Sequence, residues 1–337
     1  MITEILKKFA AFITQQTHHE HDQQIPNNPP VKETKQNSPV LASNAVLDRW
    51  NEESYLLANP DIATRIAKGQ ITSAFEHYVT HGFNENRPGV SPDIRTAIVE
   101  IFSDNLKFPP EKLRKRVHGD ENVTGFANVG KTVTCNIYSA IKDIVPLGNN
   151  HRILDFGCGC GRIIRYFHKL SANNVFHGTD IDKEAIAWCA EELSHIGKFI
   201  QNDIHPPLPF EDDTFDFVYS ISIFTHLPET MHLEWLQELR RITKPGGYLL
   251  LTTHGEQLFY DIFGNVYKEF EKEFKEKGFY YFKGEITEGL PDFYQTSFHT
   301  QDYIVNNWGK LFEIKKFITK GIANNQDLVL CRKPASP

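Results

Sequence analysis

Ile153-Leu154-Asp155-Phe156-Gly157-Cys158-Gly159-Cys160-Gly161-Arg162 is the stretch on which the fold turns. An apolar run meets an acid, and three glycines then alternate with other residues before Arg162 opens a helical pattern. A strand ending at Asp155 would run into a tight turn through Gly157, Gly159 and Gly161. Glycine permits φ > 0 there and lets a ligand lie against bare backbone. The helix that follows aims its free N–H groups into the same crevice. A nucleotide-type cofactor is expected at this place. The dinucleotide fingerprint is G-x-G-x-x-G, but Arg162 stands where its third glycine belongs, and no Lys-Ser or Lys-Thr follows to make a phosphate loop.

A second strand, Val175-Phe176-His177-Gly178-Thr179-Asp180, ends in an acid 21 residues after Gly159. In doubly wound folds an acid at about this distance accepts hydrogen bonds from ribose hydroxyls. Its other reading is a helix N-cap for 182–195, a role open to Asp182 as well. Phe199–Gln201 reads as a third strand and Asp216–Ser220 as a fourth. Met231, Trp235, Leu236, Leu239 and Ile242 then form an apolar helical stripe, read as core packing. Lys244-Pro245-Gly246-Gly247 closes that helix before a buried strand, Tyr248–Thr253.

Taken in order, four of these segments resemble the class I S-adenosylmethionine (SAM) methyltransferases. They are the D-x-G-x-G-x-G run from Asp155, the Asp203-Ile204 pair, the Leu208-Pro209-Phe210…Phe215-Asp216 run and the Ser220…Thr225-His226-Leu227-Pro228 loop, with Pro-Gly-Gly before the fifth strand. The resemblance implies an α/β, Rossmann-like, mostly parallel seven-stranded sheet with an antiparallel last strand. It also implies SAM as cofactor. On it, Asp155, Gly157, Cys158, Gly159, Gly161 and Arg162 shape the cofactor turn. Asp180 and Ile181 meet the ribose, Asp203 and Ile204 the adenine, and Ser220 the fourth-strand edge. Gly130 and Lys131, read as preceding a helix over 132–145, would lie over the methionine end.

Residues 1–45 read as a short amphipathic helix (Ile2, Ile5, Leu6, Phe9, Phe12, Ile13) and a polar linker too poor in core formers to fold. Residues 46–92 read as a small helical module. Tyr55-Leu56…Asn59-Pro60-Asp61 and His77-Tyr78…Gly82…Glu85…Arg87-Pro88 resemble a bacterial module found beside glycan-active domains, which implies protein docking. Residues 93–337 form the methyltransferase unit, with its core over 130–255. A charged helix over 256–277 and paired strands at 312–318 and 327–331 belong to its C-terminal part, 256–333.

Net charge is −7, which disfavours nucleic acid as a partner; the basic run Lys112–Arg116 reads as a solvated helix face. The five cysteines are scattered, without disulfide or zinc spacing, so no metal is expected and a reduced cytoplasmic setting fits. No apolar run is long enough to span a membrane. Methyl transfer to a hydroxyl needs a base, because a hydroxyl pKa lies far above neutrality. His226, His254 and His299 are the candidates, each placed in a loop at the strands' carboxyl edge. The expected function is O-methylation of a glycan or small polar metabolite. The alternatives are a nicotinamide-dependent oxidoreductase and a non-catalytic interaction protein on the same fold.

Overall fold

The computed structural model of the chain describes residues 47–171, 173–264, 268–283 and 291–335. The amphipathic stretch and linker expected over 1–45 lie outside these residues.

β1 (Arg152–Phe156) is buried on both faces from Ile153 onward. That is the signature of a central parallel strand covered by helices on either side. It pairs in parallel with β2 (Val175–Asp180) and with β4 (Phe215–Ser220). β3 (Lys198–Gln201) extends the sheet beyond β2, and β5 (Thr243–Thr253) extends it beyond β4. β9 (Gln326–Arg332) joins antiparallel to β5, and β8 (Glu313–Ile322) closes the edge, giving the order β3-β2-β1-β4-β5-β9-β8. This is the doubly wound, mostly parallel seven-stranded sheet that the resemblance implies. The chain reverses direction across the sheet between β1 and β4, and a crevice opens outside the carboxyl ends of the strands at such a switch point.

Two elements differ from expectation. The helix expected at 132–145 is the longer α6 (Val123–Ile141), capped by the Asn122 side chain, which accepts from the Gly125 N–H. Gly125 and Gly130 lower its helical propensity, but packing requires both. A Cβ on Gly125 would stand 2.7 Å from His118 Nε2, and one on Gly130 would stand 2.6 Å from the Arg162 carbonyl. The helix expected over 256–277 is two helices, α10 (Glu256–Phe263) and α11 (Lys268–Lys277), divided at Gly264 with φ 55°. An antiparallel pair, β6 (Phe279–Phe282) and β7 (Thr296–His299), forms a second small sheet beyond them.

Before α6 come α1 (Glu52–Ala58), α2 (Pro60–Ala67), α3 (Ala74–His77) with a π-helical turn at Tyr78–Gly82, α4 (Pro92–Phe102) and α5 (Glu111–His118). The motif residues of the first three hold one another. Tyr55 Oη meets His77 Nδ1 at 2.9 Å, and Gly82 leaves the room that this hydroxyl fills. Asn59 Nδ2 donates to the carbonyls of Tyr55 and Pro88, and Arg87 bridges Asp61 and Glu85. Their apolar faces continue into one core with α6 and β1, through Phe75 against Tyr138 and on to Ile137, Ile141 and Ile153.

Candidate functional site

A cavity of about 580 Å³ lies at the carboxyl ends of β1, β2 and β4, between the sheet edge and α5. Its size is that of a small-molecule site.

The glycine turn forms its floor. The N–H groups of Gly157 and Cys158 donate to the Thr179 carbonyl at 2.8 and 2.9 Å, which pins the turn to β2. Gly157, Gly159 and Gly161 take φ values of 80°, 52° and 77°, in the left-handed region that favours glycine. The turn is also closely covered. A Cβ on Gly157 would meet Ile223 at 2.3 Å, and one on Gly159 would meet Val117 of α5 at 2.7 Å.

Asp180 lies beside that turn. Its Oδ2 accepts from the Gly159 N–H and its Oδ1 from the Asp182 N–H, both at 2.8 Å. Burial pushes its carboxyl up, while these backbone donors pull it back. The cap of the next helix, α8 (Lys183–Glu192), is Asp182, which accepts from Glu184 and Ala185. Asp182 also receives Arg116 Nη1 of α5 at 2.7 Å, while Arg116 Nη2 reaches Glu184 at 2.7 Å. The basic run of α5 is therefore a cavity wall tied across to α8. Lys112, Lys115, Arg116, Val117 and His118 all line the space.

The other end of the cavity is set by the loop after β4. Ser222 is held at φ 63°, an uncommon conformation for a residue with a side chain. Three elements pin it there. Its N–H donates to Thr252 Oγ1 of β5, its carbonyl accepts from Tyr294 Oη, and its Oγ meets Gln326 Nε2 of β9 at 2.7 Å. His226 follows. Its Nδ1 lies 2.6 Å from the Gln295 carbonyl, so Nδ1 carries the proton and Nε2 the lone pair. Its ring stacks on Tyr294, with centroids 4.3 Å apart. Burial lowers its pKa to about 4, so the imidazole is neutral at pH 7.

Of the residues expected from sequence, Gly157, Cys158, Gly159, Arg162, Asp180, Ile181, Ile204 and His226 line the cavity. The others lie elsewhere. Asp155 is buried beneath the turn, where it accepts from Tyr219 Oη at 3.0 Å, and its carboxyl is pushed up to about 8 by burial. Gly161 faces away, where a Cβ would meet Leu193 at 2.6 Å. Ser220 is fully buried within β4. Asp203 is exposed, whereas its neighbour Asn202 is buried and lines the cavity. Gly130 and Lys131 sit inside α6 rather than before a helix; Gly130 serves helix packing, and Lys131 Nζ stands over the Tyr166 ring. His254 and His299 are buried off the cavity. His254 meets the His226 ring edge-on, and His299 packs on His232 at 4.7 Å between centroids.

Sequence reasoning missed the α5 wall, Asn202, Ser222 and Tyr294. It also read Met231 and Trp235 as core alone, whereas both also line the cavity, where Trp235 lies 4.7 Å from Phe156 between centroids. A basic run at helical spacing gives no sign of what it faces, and a residue from a distant loop gives none of where it returns.

Residues 154–251, from within β1 through most of β5, match the family of methyltransferase domains. The chain is similar to a fatty-acid O-methyltransferase of Mycolicibacterium smegmatis, 32% identical over 30% of this chain and 36% of that protein. It is also similar to a probable methyltransferase of Aspergillus luteorubrus, 35% identical over 32% of this chain and 41% of that one. The chain thus spans well under half the length of these two relatives. Among solved structures, a SAM-dependent methyltransferase of Methanosarcina mazei is 22% identical, covering 59% of this chain and 99% of its own at a TM-score of 0.46.

Proposed function

We propose that this chain is a SAM-dependent methyltransferase whose acceptor is a hydroxyl oxygen on a glycan or small polar metabolite. One observation carries the reading: a single cavity holds the glycine turn with Asp180 at one end and a neutral, oriented His226 at the other. The donor set suits the cofactor. Asp180 offers carboxylate oxygens for ribose hydroxyls, Asn202 Oδ1 is a buried acceptor without a partner in the protein, and Arg162 is a cation on the wall. The methyltransferase domain over 154–251 favours this reading over a nicotinamide oxidoreductase.

The cofactor supplies a methyl group already activated on a sulfonium. The protein aligns the acceptor and excludes water. Nε2 of His226 takes the hydroxyl proton as the new O–C bond forms. At that stage the oxygen is acidic, so a base with a pKa of about 4 is adequate. The carbonyl of Gln295 holds the ring and stabilises the proton on Nδ1. Phe293 and Tyr294 give this end an aromatic surface that suits the C–H face of a sugar ring.

The test is calorimetry with S-adenosylhomocysteine followed by labelled methyl transfer to panels of sugars, nucleotide sugars and carboxylic acids. Binding followed by turnover on hydroxyl acceptors is expected. Absence of binding would favour the non-catalytic reading. Turnover on carboxylates alone would remove the need for a base, since a carboxylate is already ionised at pH 7.

A further inference from the structure

Tyr294 reaches His226 from outside residues 154–251, on the connection between β6 and β7. The end of that connection runs beside the loop after β4 and is tied to it bond by bond. The Gln295 N–H donates to the His226 carbonyl at 3.1 Å, the Ser297 N–H to the Thr225 carbonyl at 2.8 Å, and Ser297 Oγ to the Phe224 carbonyl at 3.0 Å. Tyr281 Oη of β6 donates to the Phe293 carbonyl from the other side. The backbone around Tyr294 is therefore fixed to the loop that carries His226.

The Tyr294 side chain then makes two contacts with that loop. Its ring lies face to face with the His226 imidazole, 4.3 Å between centroids and 22° between planes. Its Oη donates to the carbonyl of Ser222, the residue at φ 63°, at 2.9 Å. Neighbouring rings meet differently: His254 stands at 81° to His226, and His232 at 43° to His299. The parallel contact restrains what the others leave loose. An imidazole turns in a broad well about its Cβ–Cγ bond. The Gln295 carbonyl fixes Nδ1, but one hydrogen bond lets the ring pivot about it. A flat ring at stacking distance blocks the pivot.

We propose that Tyr294 is a positioning residue for methyl transfer, an inference that rests on the reading of His226 as the base. Its ring holds the plane of the imidazole, and its hydroxyl holds the loop from which the imidazole projects, so Nε2 keeps one direction. That direction matters because a misplacement of about 1 Å at a reacting group can cost about 10²-fold in rate.

The experiment joins NMR on the full chain to labelled methyl transfer from SAM to the sugar or nucleotide sugar of highest turnover in the panel above. In the wild-type protein His226 should show a single Nδ1–H tautomer, with nuclear Overhauser contacts from its ring protons to the Tyr294 ring. Absence of those contacts overturns the proposal, whether or not any variant folds. Tyr294→Phe keeps the stack and should keep the tautomer, with turnover within about fivefold of wild type, the scale of one neutral hydrogen bond. Tyr294→Leu should mix the tautomers and lower kcat by about tenfold or more, with S-adenosylhomocysteine affinity unchanged. A Tyr294→Leu protein with wild-type kcat and a raised KM would make Tyr294 a surface for the acceptor, and a Tyr294→Phe protein as slow as Tyr294→Leu would leave the ring no part; either overturns the proposal. In the His226→Asn background Tyr294→Leu should cost little further, because the two residues act as a unit. An equal cost in both backgrounds overturns it as well. Full turnover of His226→Asn alone removes the base reading and this proposal with it, a result told apart by ring contacts that still stand in the wild type.

Discussion

The role proposed for His226 depends on Gln295, a residue 69 positions away whose carbonyl fixes the imidazole tautomer. His226→Asn should keep cofactor affinity and lower turnover on a hydroxyl acceptor by about 10²-fold or more, the scale of a lost general base. An unchanged rate would remove His226 from the chemistry, and the buried positions of His254 and His299 leave neither as a replacement. The pH profile has a definite sign. A histidine ordinarily titrates near 6.5, but this one is held to about 4, so the limb that requires neutral imidazole lies near pH 4. The rate should be flat from about pH 5 upward, and a rise centred on pH 6.5 would show that the ring is not held as described. Gly159 belongs to this scale too. Gly159→Ala places a Cβ against Val117 at 2.7 Å and forces a side chain into φ 52°. It should lose cofactor binding and about 1–2 kcal/mol of stability, the cost of left-handed backbone. Full affinity in that variant, by calorimetry, would mean that the turn does not meet the ligand.

Among the elements, α5 decides how the cavity is closed. Its Val117 covers the glycine turn, and Arg116 ties it to Asp182 and Glu184 at the start of α8. Lys112 adds a second reach to Glu184 at 3.0 Å. Such partly exposed pairs are worth about 0–1 kcal/mol and are screened by salt. Arg116→Ala should therefore weaken S-adenosylhomocysteine binding by only about two- to fivefold, mainly through faster release. It should also flatten the dependence of affinity on salt. A loss of a hundredfold in stopped-flow or calorimetric measurements would mean that Arg116 touches the ligand directly.

At the scale of the whole molecule, the buried histidines set the response to acid. His77, His118, His168, His177, His226, His232, His254 and His299 all have pKa values lowered by burial. Below pH 6.5 the unfolded chain binds protons that the folded chain refuses, so stability falls as the pH drops towards 4. Three buried carboxyls act in the opposite direction. Asp155 and Asp327, raised by burial to about 8 and about 6, and Asp180, also raised by burial, keep protons in the folded state, and their contribution is lost as pH rises from 3.8 through the raised values. Between pH 4 and 6.5 the histidines outnumber them, and above 6.5 the opposition of Asp155 persists. The melting temperature should peak near pH 6.5–7 and drop steeply by pH 5. A level melting curve across pH 5–7 would contradict the burial of these rings.

The sequence by itself determined the fold. An apolar strand, a glycine turn and an acid at the end of the next strand are local patterns, and each depends only on short-range backbone conformation and alternation. They fixed β1 to β5, the Gly157–Gly159 turn and the place of Asp180. Even the strands that end the chain, β8 and β9, carried their own apolar signature. What only the tertiary structure decided were the pieces of the cavity supplied from elsewhere in the chain. The α5 run has the look of a solvated face because its partners, Asp182 and Glu184, lie more than 60 residues on. His226 and His299 look equivalent in sequence, yet one lines the cavity and the other is sealed among His232, Phe279 and Trp308. Gly130 reads as a ligand contact until the helix through it is seen to press on Arg162. The physical reason is common to all three: a side chain's exposure, charge state and partner come from long-range packing, which periodicity along the chain does not encode.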